Sequence, residues 1–443
     1  MRTVGWAKKK GKKQENRLYL TRVAPLPLDK WLPVFEIPML AGTKLWNSCV
    51  WESREARKNG TKYPTESEMK EKFKGYESWK RLHSQSSQSV VEEYFEAVRS
   101  YVKHKDNGRD EMRPPGFKPK ATLRTITWKR QGFECREGLL TLKLSRKLDD
   151  IGVSLPEGFD TLELPDGTVL KGTPVEVKVK AVYRKGKVVG LEMHVTWDFG
   201  VVPMVLAGKV SAYDLNAALV ARGSTEGSQQ LLVCRELLSL IQYRNKVIAE
   251  FQQKMSRCKE RSRRWKALLS AKRKALKKLE RRINQLTNAL TKLMAGLDQA
   301  EDITFSVLGD LTDIRRKSRS GDKDKKASQK INQLPYAQIE QQHAYKSLLR
   351  QVYPDKASER YSSQTCSHCG TRNKSYRVHR GLWCCKKCRA TMHADLNGVN
   401  GIMKNYLFGH CGIEQPFPLK PPEVYRWNKR LNRFVKVSPR ASA

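Results

Sequence analysis

Ser363-Gln364-Thr365-Cys366-Ser367-His368-Cys369-Gly370, followed by Cys385-Lys386-Lys387-Cys388 and then His393-Ala394-Asp395-Leu396-Asn397-Gly398-Val399-Asn400, is the stretch on which the reading of this chain turns. Two Cys-x-x-Cys pairs separated by 15 residues have the spacing of a zinc ribbon. In such a ribbon two short turns each offer two thiolates to one tetrahedral Zn²⁺, here Cys366, Cys369, Cys385 and Cys388. The competing use of paired cysteines is a disulfide, which belongs to oxidising compartments. The sequence reads as carrying no secretory signal and no apolar run long enough to span a membrane.

Of the other cysteines, Cys49, Cys135, Cys234, Cys258 and Cys411 are scattered through unrelated contexts, as ordinary thiols of a reducing compartment are. Cys384 is ambiguous beside Cys385, although only Cys385 completes the spacing with Cys388.

Composition adds a second constraint. The chain has 86 Lys+Arg against 45 Asp+Glu, a formal net charge of +41 over 443 residues. Such an excess repels itself unless polyanions neutralise it. The basic residues run along the whole length rather than in a tail, which points to nucleic acid, where each phosphate contacted releases counterions. A membrane-surface protein can be equally basic, but the sequence shows no lipidation signal and no isolated basic amphipathic anchor. A hydrophobic content of 39% with 10 Trp is enough for folded cores, and the length suggests roughly two to four domains.

Along the chain, the run Lys8 to Lys13 precedes a strand-like stretch, Arg17 to Val23, and prolines at 25, 27 and 33 interrupt the pattern. From about Glu36 to Lys105 the spacing is helical: Trp79, Leu82, Val90, Val91, Tyr94, Phe95, Val98 and Tyr101 recur at three- and four-residue intervals. After Arg113-Pro114-Pro115-Gly116 the texture becomes β-rich, with strands expected over 121–128, 139–144, 161–164, 175–183 and 188–197. The alternation in Val175 to Arg184 would bury one face and present lysines on the other.

Lys209 to Ala221 reads as a strand, a turn and a second strand, with Asp214 where the first strand ends. A long helical stretch is expected from about Gln229 to Leu297. In it Leu276, Leu279, Ile283, Leu286, Leu290, Leu293 and Leu297 form a seam for a partner helix carrying Leu231, Leu237, Leu238, Ile241 and Ile248. Between Arg257 and Arg282 there are 13 Lys+Arg and two acidic residues, a density that favours a phosphate backbone over a merely solvated face. Thr304 to Leu308 is a buried-type strand, Arg315 to Lys330 a Ser-, Gly- and Lys-rich lid candidate, and 331–353 helical again.

Hydrolysis of a phosphodiester at two Mg²⁺ ions roughly 4 Å apart needs several carboxylates converging from different strands, because hard cations take oxygen ligands and must flank the scissile phosphate. Asp214 and Asp395 each lie at a step from hydrophobic to small polar residues. Asp395 also opens a helix, where an acid serves equally well as a cap.

Taken together, a strand ending in Asp214, a long helical insertion, Tyr361-Ser362-Ser363-Gln364-Thr365-Cys366-Ser367-His368-Cys369-Gly370, a second Cys-x-x-Cys and Ala394 to Ile402 resemble the RuvC nuclease and zinc ribbon of the transposon-encoded TnpB proteins. Their eukaryotic relatives, the Fanzor proteins, and the miniature type V CRISPR effectors share the pattern. The motif match covers about residues 206 to 407; over 1–205 only the order of elements is similar.

The resemblance implies a multidomain α+β protein. A β-barrel wedge domain (1–35 and 106–205) would be interrupted by a helical recognition domain (36–105). An RNase H-like RuvC domain with a helical insertion would occupy 206–361 and 391–408. A zinc ribbon (362–390) would bind target nucleic acid, and 409–443 would be a basic, flexible tail. The implied activity is RNA-guided DNA cleavage: the protein binds a guide RNA, recognises a short adjacent motif in double-stranded DNA and cuts at one Mg²⁺-dependent two-metal site, with Mn²⁺ as a substitute and Zn²⁺ structural. In such systems the protein reads heteroduplex shape and the RNA supplies sequence. The expected location is the cytoplasm, on the nucleoid, in a prokaryote, and the nucleus in a eukaryote.

One departure bears on activity. Most relatives have Glu-Asp-Leu at the second RuvC motif, whereas Val307-Leu308-Gly309-Asp310-Leu311 puts Gly309 where that glutamate would be. In one reading the acid has relocated, as in Fanzor proteins and some TnpB relatives, to Glu359, two residues before Tyr361-Ser362-Ser363, so that Asp214, Glu359 and Asp395 ligate the metals. In the other, cleavage is lost and the protein is an RNA-guided DNA-binding repressor, with Glu359 a surface residue beside Lys356 and Arg360. Glu301 and Asp310 are weaker substitutes, Asp310 because it would point to the opposite face of its strand. A third class is a transposase or zinc-ribbon DNA-binding factor that uses no RNA.

Overall fold

The computed structural model describes residues 16–106, 113–145, 148–184, 186–202, 208–311, 334–379, 381–414, 416 and 418–437. The basic run Lys8 to Lys13 and the lid candidate Arg315 to Lys330 lie outside the described residues. The chain divides into two compact units, Arg17–Val201 and the residues from Val202 onward.

The first unit opens with β1 (Arg17–Leu26) and then α1 (Leu28–Lys58), α2 (Glu66–Phe73), α3 (Glu77–Lys80) and α4 (Ser84–Asp106). The helical part begins eight residues before the expected Glu36, because α1 continues through Pro33 and Pro38. Each proline deletes one backbone hydrogen bond, but the same turns bury Phe35, Met39, Leu45 and Trp46, and that burial outweighs the loss. Helix α2 starts on a capping box: the Thr65 hydroxyl accepts from the Glu68 amide, and the Glu68 carboxylate accepts from the Thr65 amide at 2.6 Å. Trp46, Phe73, Trp79, Val90, Val91 and Tyr94 close one core among these helices.

The β-rich part follows, with β2 (Ile126–Lys129), β3 (Phe133–Arg136), β4 (Leu139–Leu142), β5 (Ile151–Ser154), β6 (Thr161–Glu163), β7 (Val169–Lys171), β8 (Thr173–Arg184) and β9 (Lys187–Val201). They form an antiparallel four-stranded sheet in the order β1-β9-β8-β2, a three-stranded sheet β3-β4-β5 and a hairpin β6-β7. The alternation in β8 acts as the sequence suggests: Val177, Val179 and Ala181 are buried while Lys178 and Lys180 face away from that core.

The second unit is built on one seven-stranded sheet with order β14-β13-β10-β11-β12-β18-β19. Its strands are β10 (Val210–Leu215), β11 (Leu219–Ser224), β12 (Gln229–Val233), β13 (Phe305–Gly309), β14 (Tyr353–Ala357), β18 (Glu423–Asn428) and β19 (Arg433–Val437). Strands β10, β13 and β14 are parallel neighbours, and β10, β11 and β12 pair antiparallel. Helices α5 (Arg235–Ser256), α6 (Arg263–Ala300) and α7 (Tyr336–Leu348) cover one face, where Tyr213, Leu215, Val220 and Leu308 meet Leu237, Ile241, Ile283, Leu290 and Ile339. Helix α8 (Ala394–Phe408) covers the other, packing Leu396, Val399, Ile402 and Met403 on Val210, Ala212, Ala221 and Val307. The period of two along β10 thus sends Tyr213 to one layer and Asp214 to the other.

Two expectations are corrected in this unit. Gln229–Val233, read as the start of a helix, is a strand, because its residues pair with β11 from Leu219↔Val233 to Gly223↔Gln229. Helix α5 begins only at Arg235 and packs on the expected α6 seam. The flexible tail is also partly wrong: within 409–443, β18 and β19 extend the sheet, and Tyr425, Trp427 and Phe434 pack against its core.

Strands β15 (Arg377–His379), β16 (Leu382–Cys384) and β17 (Thr391–His393) form a small separate sheet around Trp383 and Tyr376. Among the described residues no helix is long and apolar enough to cross a membrane.

Candidate active site

The cysteines come together as their spacing implies. The four Sγ atoms of Cys366, Cys369, Cys385 and Cys388 lie within 4.8 Å of one another, with Cys366–Cys388 and Cys369–Cys385 both at 3.7 Å. A tetrahedron with Zn–S bonds of about 2.3 Å has edges of about 3.8 Å, so the thiolates fit Zn²⁺. Each pair sits on a tight turn: the Cys366 amide donates to the Thr371 carbonyl and the Gly370 amide to the Cys366 carbonyl, and the Cys385 amide donates to the Ala390 carbonyl. Gly370 has φ +71°, and a Cβ there would stand 2.1 Å from the Gly412 carbonyl oxygen, so only glycine closes this turn. Cys384 lies outside the four-thiolate cluster, next to the Thr391 hydroxyl.

The acids are placed by the sheet. Strands β10 and β13 run parallel with Tyr213 level with Leu308, which brings Asp214 to the same carboxyl end as Gly309. Gly309 in turn pairs with Ala357, the last residue of β14, and Glu359 follows two residues on. The carboxyl ends of parallel strands are where crevices open in α/β sheets.

The space in front of Gly309 is occupied. A Cβ built on it would stand 2.0 Å from Glu359 Oε1 and 2.8 Å from its Cδ: the Glu359 carboxyl group fills the space in front of the glycine. Glu359 Oε1 is buried and has no hydrogen-bond partner. A buried oxygen without a donor is costly, and a cation removes that cost. Asp395 approaches from the other layer as the second residue of α8, with its amide donating to His393 Nδ1 at 3.3 Å. Gly398, one turn on, leaves room for Asp214, whose Oδ2 would be 3.0 Å from a Cβ at that position.

These carboxylates disturb one another. Burial, followed by the charges of Glu359 and Asp395, pushes Asp214 up to about 8. Burial and the charge of Asp310 push Glu359 up to about 7. An acid set this reluctant to ionise is one that binds a hard divalent cation in exchange for protons. The three do not close to the 4.8 Å span of the cysteines, and Arg377 Nη2 donates to Asp395 Oδ1 at 3.2 Å. The oxygen donors, the orphaned Glu359 Oε1 and the vacated space at Gly309 fit Mg²⁺ or Mn²⁺.

Glu301 takes no part, since it is bound to the Arg222 guanidinium at 3.0 Å, among residues of the opposite layer. Asp310 is exposed and its amide donates to the Ala357 carbonyl.

Sequence reading missed several residues that assemble this site. Asn397 ties α8 to the ribbon: its Oδ1 accepts from the Ser367 amide at 2.8 Å, and its Nδ2 donates to the Thr365 carbonyl at 2.8 Å. The Lys404 ammonium, fully buried, donates to the carbonyls of Ser367 and Ile413. Gly401 lies against the Ser362 backbone, where a Cβ would meet Ser362 Cα at 2.9 Å. The signal was present in Asp395-Leu396-Asn397-Gly398-Val399-Asn400-Gly401, a helix unusually rich in Gly and Asn. Arg377 carried no such signal in a chain with 86 basic residues.

Comparison with known proteins gives four findings. Residues 336–402 match the Cas12f1-like TNB domain. The fold is similar to that of Cas12f1 in the cryo-EM structure of the Cas12f1-sgRNA-target DNA complex, with a TM-score of 0.52 at 14% identity over 84% of this chain and 83% of that one. CasPhi-2 (Cas12j) bound to crRNA gives a TM-score of 0.43 at 12% identity over 90% of this chain and 98% of that one. A 46-residue stretch is 48% identical to large ribosomal subunit protein eL43 of Desulfurococcus amylolyticus. That stretch is 10% of this chain and 54% of that protein, so the chain spans about half the length of the curated relative it matches. Residues 336–402 thus carry a Cas12f1-like TNB domain, and the chain as a whole has a fold similar to that of Cas12f1.

Proposed function

We propose that this protein is an RNA-guided DNA endonuclease that hydrolyses phosphodiesters at one site formed by Asp214, Glu359 and Asp395. The observation that carries the reading is the Glu359 carboxyl group in front of Gly309, with its Oε1 buried and without a donor. The alternative, a guided DNA binder that has lost cleavage, rested on Gly309, and an acid filling the space the glycine leaves favours the nuclease reading over it. The strand order β12-β11-β10-β13-β14, with two parallel and two antiparallel pairings, agrees with an RNase H-like core. The Cas12f1-like TNB domain, the net charge of +41 and the guide RNA and target DNA in the complex of the structurally similar Cas12f1 favour a guide RNA and a DNA target here.

In the mechanism, Asp214, Glu359 and Asp395 would hold Mg²⁺, which when bound activates water and neutralises charge on the phosphate. The chain's own residues do the rest. Asp214 is oriented by a hydrogen bond from Asn216 and by the bare Cα of Gly398. Glu359 is presented by a turn that Asn405 fastens to α8, its Nδ2 donating to the carbonyls of Ser358 at 2.8 Å and Arg360 at 3.0 Å. Arg377 holds Asp395 until its charge is taken up, and is then left beside the carboxylates with a guanidinium fork suited to phosphate oxygens. The thiolate site fixes the ribbon that carries Arg377.

The test is to sequence RNA that copurifies with the protein, then incubate the complex with a matching plasmid in Mg²⁺ and in EDTA. Cutting that needs both RNA and metal is the expected result, and Glu359→Ala should abolish it while guided binding remains. Tight guided binding with an intact plasmid would return the protein to the repressor class.

A further inference from the structure

The first Cys-x-x-Cys turn is joined to helix α8 by more than packing. Within Cys366-Ser367-His368-Cys369 the His368 and Cys369 amides donate to the Cys366 sulfur, while both polar backbone groups of Ser367 are taken by α8. The Ser367 amide donates to Asn397 Oδ1 at 2.8 Å, and its carbonyl accepts from the Lys404 ammonium. Asn397 Nδ2 also donates to the Thr365 carbonyl at 2.8 Å, and Lys404 Nζ to the Ile413 carbonyl at 2.9 Å. Asn397 and Lys404 are both 0% exposed, so neither has water to fall back on. Positions 397, 401 and 404 are spaced i, i+4 and i+7 and share one face of α8, with Gly401 laid against the backbone of Ser362.

The same two pieces of chain carry acids. Helix α8 has Asp395 as its second residue, and the segment after Glu359 runs as one hydrogen-bonded turn into Thr365: the Ser362 amide donates to the Glu359 carbonyl, and the Gln364 and Thr365 amides donate to the Tyr361 carbonyl. Without a cation the four thiolates repel one another or take up protons, and the turn loses what closes it. Opening it takes Ser367 away from a buried amide and a buried ammonium, and leaving such groups without partners is costly enough to unseat the helix that carries them. We propose that Asn397 and Lys404 are positioning residues that couple the two metal sites: zinc at the thiolates sets the seat of α8, and with it the approach of Asp395 to Asp214 and Glu359. This rests on the reading of those three acids as ligands of a divalent cation. Coupling between sites is reciprocal, so a cation held by the carboxylates also tightens the hold on zinc. The thiolate site then governs the affinity of the carboxylates for their metal, and protein that has lost zinc binds Mg²⁺ poorly although every acid is still present.

The test follows the release of zinc from the full-length protein into the chromogenic chelator 4-(2-pyridylazo)resorcinol at constant ionic strength, after nucleic acid has been stripped so that RNA-bound Mg²⁺ plays no part. Saturating Mg²⁺ is expected to slow release from the parent about fivefold or more. Asp214→Asn removes a carboxylate on β10, away from the grip on Ser367, and should release zinc at the same rate with and without Mg²⁺. Lys404→Met keeps the length of the side chain but not its ammonium. Zinc should leave this variant faster and Mg²⁺ should no longer slow it, whereas a merely structural loss would speed release and leave the Mg²⁺ effect in place. Asn397→Ala carries the same comparison should Lys404→Met fail to fold, and an undiminished Mg²⁺ effect in the variants would overturn the assignment to these residues. A parent that binds Mn²⁺ by electron paramagnetic resonance but whose zinc release ignores Mg²⁺ would overturn the coupling and leave the nuclease reading standing. A parent that binds no Mn²⁺ at all would remove the nuclease reading, and the coupling with it.

Discussion

Gly309 and Glu359 divide one small space between them, and the division can be tested by adding a single methyl group. Gly309 ends a strand and its φ is not in the left-handed region, so alanine suits its backbone. The added Cβ meets the end of a flexible side chain rather than backbone. Gly309→Ala is therefore expected to fold with stability within about 1 kcal/mol of the parent while its Glu359 carboxyl group is pushed aside. Mn²⁺ binding, followed by electron paramagnetic resonance, should weaken at least tenfold. In the parent protein the same measurement carries a pH sign. Asp214 and Glu359 have raised pKa values near 8 and 7, so protons compete with the metal below that range, and affinity should climb from pH 6 to pH 9. A pH-independent affinity would mean that these two acids are not the ligands. A missing acid at Gly309 and a spare one at Glu359 were legible in the sequence, because both sit beside recognisable neighbours. That the two side chains exclude each other was not legible, since it depends on the pairing of Gly309 with Ala357 across two strands.

At the scale of elements, the layer behind β10 is held by charge as well as by apolar packing. Arg222 of β11 is fully buried; its Nε donates to Asp298 Oδ1 at 3.0 Å and its Nη1 to Glu301 Oε1 at 3.0 Å, both at the end of α6. Tyr213 joins the group through its hydroxyl, and Ser306 of β13 donates to Asp298 Oδ2 at 2.6 Å. The network fastens α6 to β10, β11 and β13 immediately behind Asp214. Arg222→Met keeps most of the volume but leaves Asp298 buried without a countercharge, so a loss of about 3–5 kcal/mol is expected in urea denaturation. Adding Asp298→Asn should recover part of it, because the uncompensated charge and not the missing hydrogen bond dominates the cost. Additive losses would refute that account. Patterns that repeat locally, such as the thiolate spacing, the alternation in β8 and the seam of α6, could be read directly from the sequence. Arg222 could not, because its partners are 76 and 79 residues away and an arginine in a strand looks like surface. The early start of α1 and the strands β18 and β19 escaped for a related reason: prolines signalled interruption where tertiary burial prevailed.

For the whole molecule the governing quantity is +41 on 443 residues. Without a polyanion, that charge acts against compaction, and salt relieves it because the Debye length is about 10 Å at 0.1 M and shorter above. With RNA bound the sign reverses: the RNA stabilises the folded protein by mass action, and salt weakens that binding through the counterions it competes with. Protein stripped of nucleic acid should therefore melt at a higher temperature in 300 mM than in 50 mM NaCl, whereas the RNA complex should melt at a lower one. Differential scanning calorimetry of both preparations at equal protein concentration measures the two shifts, with heparin as a control that should raise the melting temperature of the stripped protein at low salt. Opposite signs are what self-repulsion relieved by a polyanion requires; shifts of the same sign in both preparations would show that self-repulsion of the excess charge does not govern the stability of the fold.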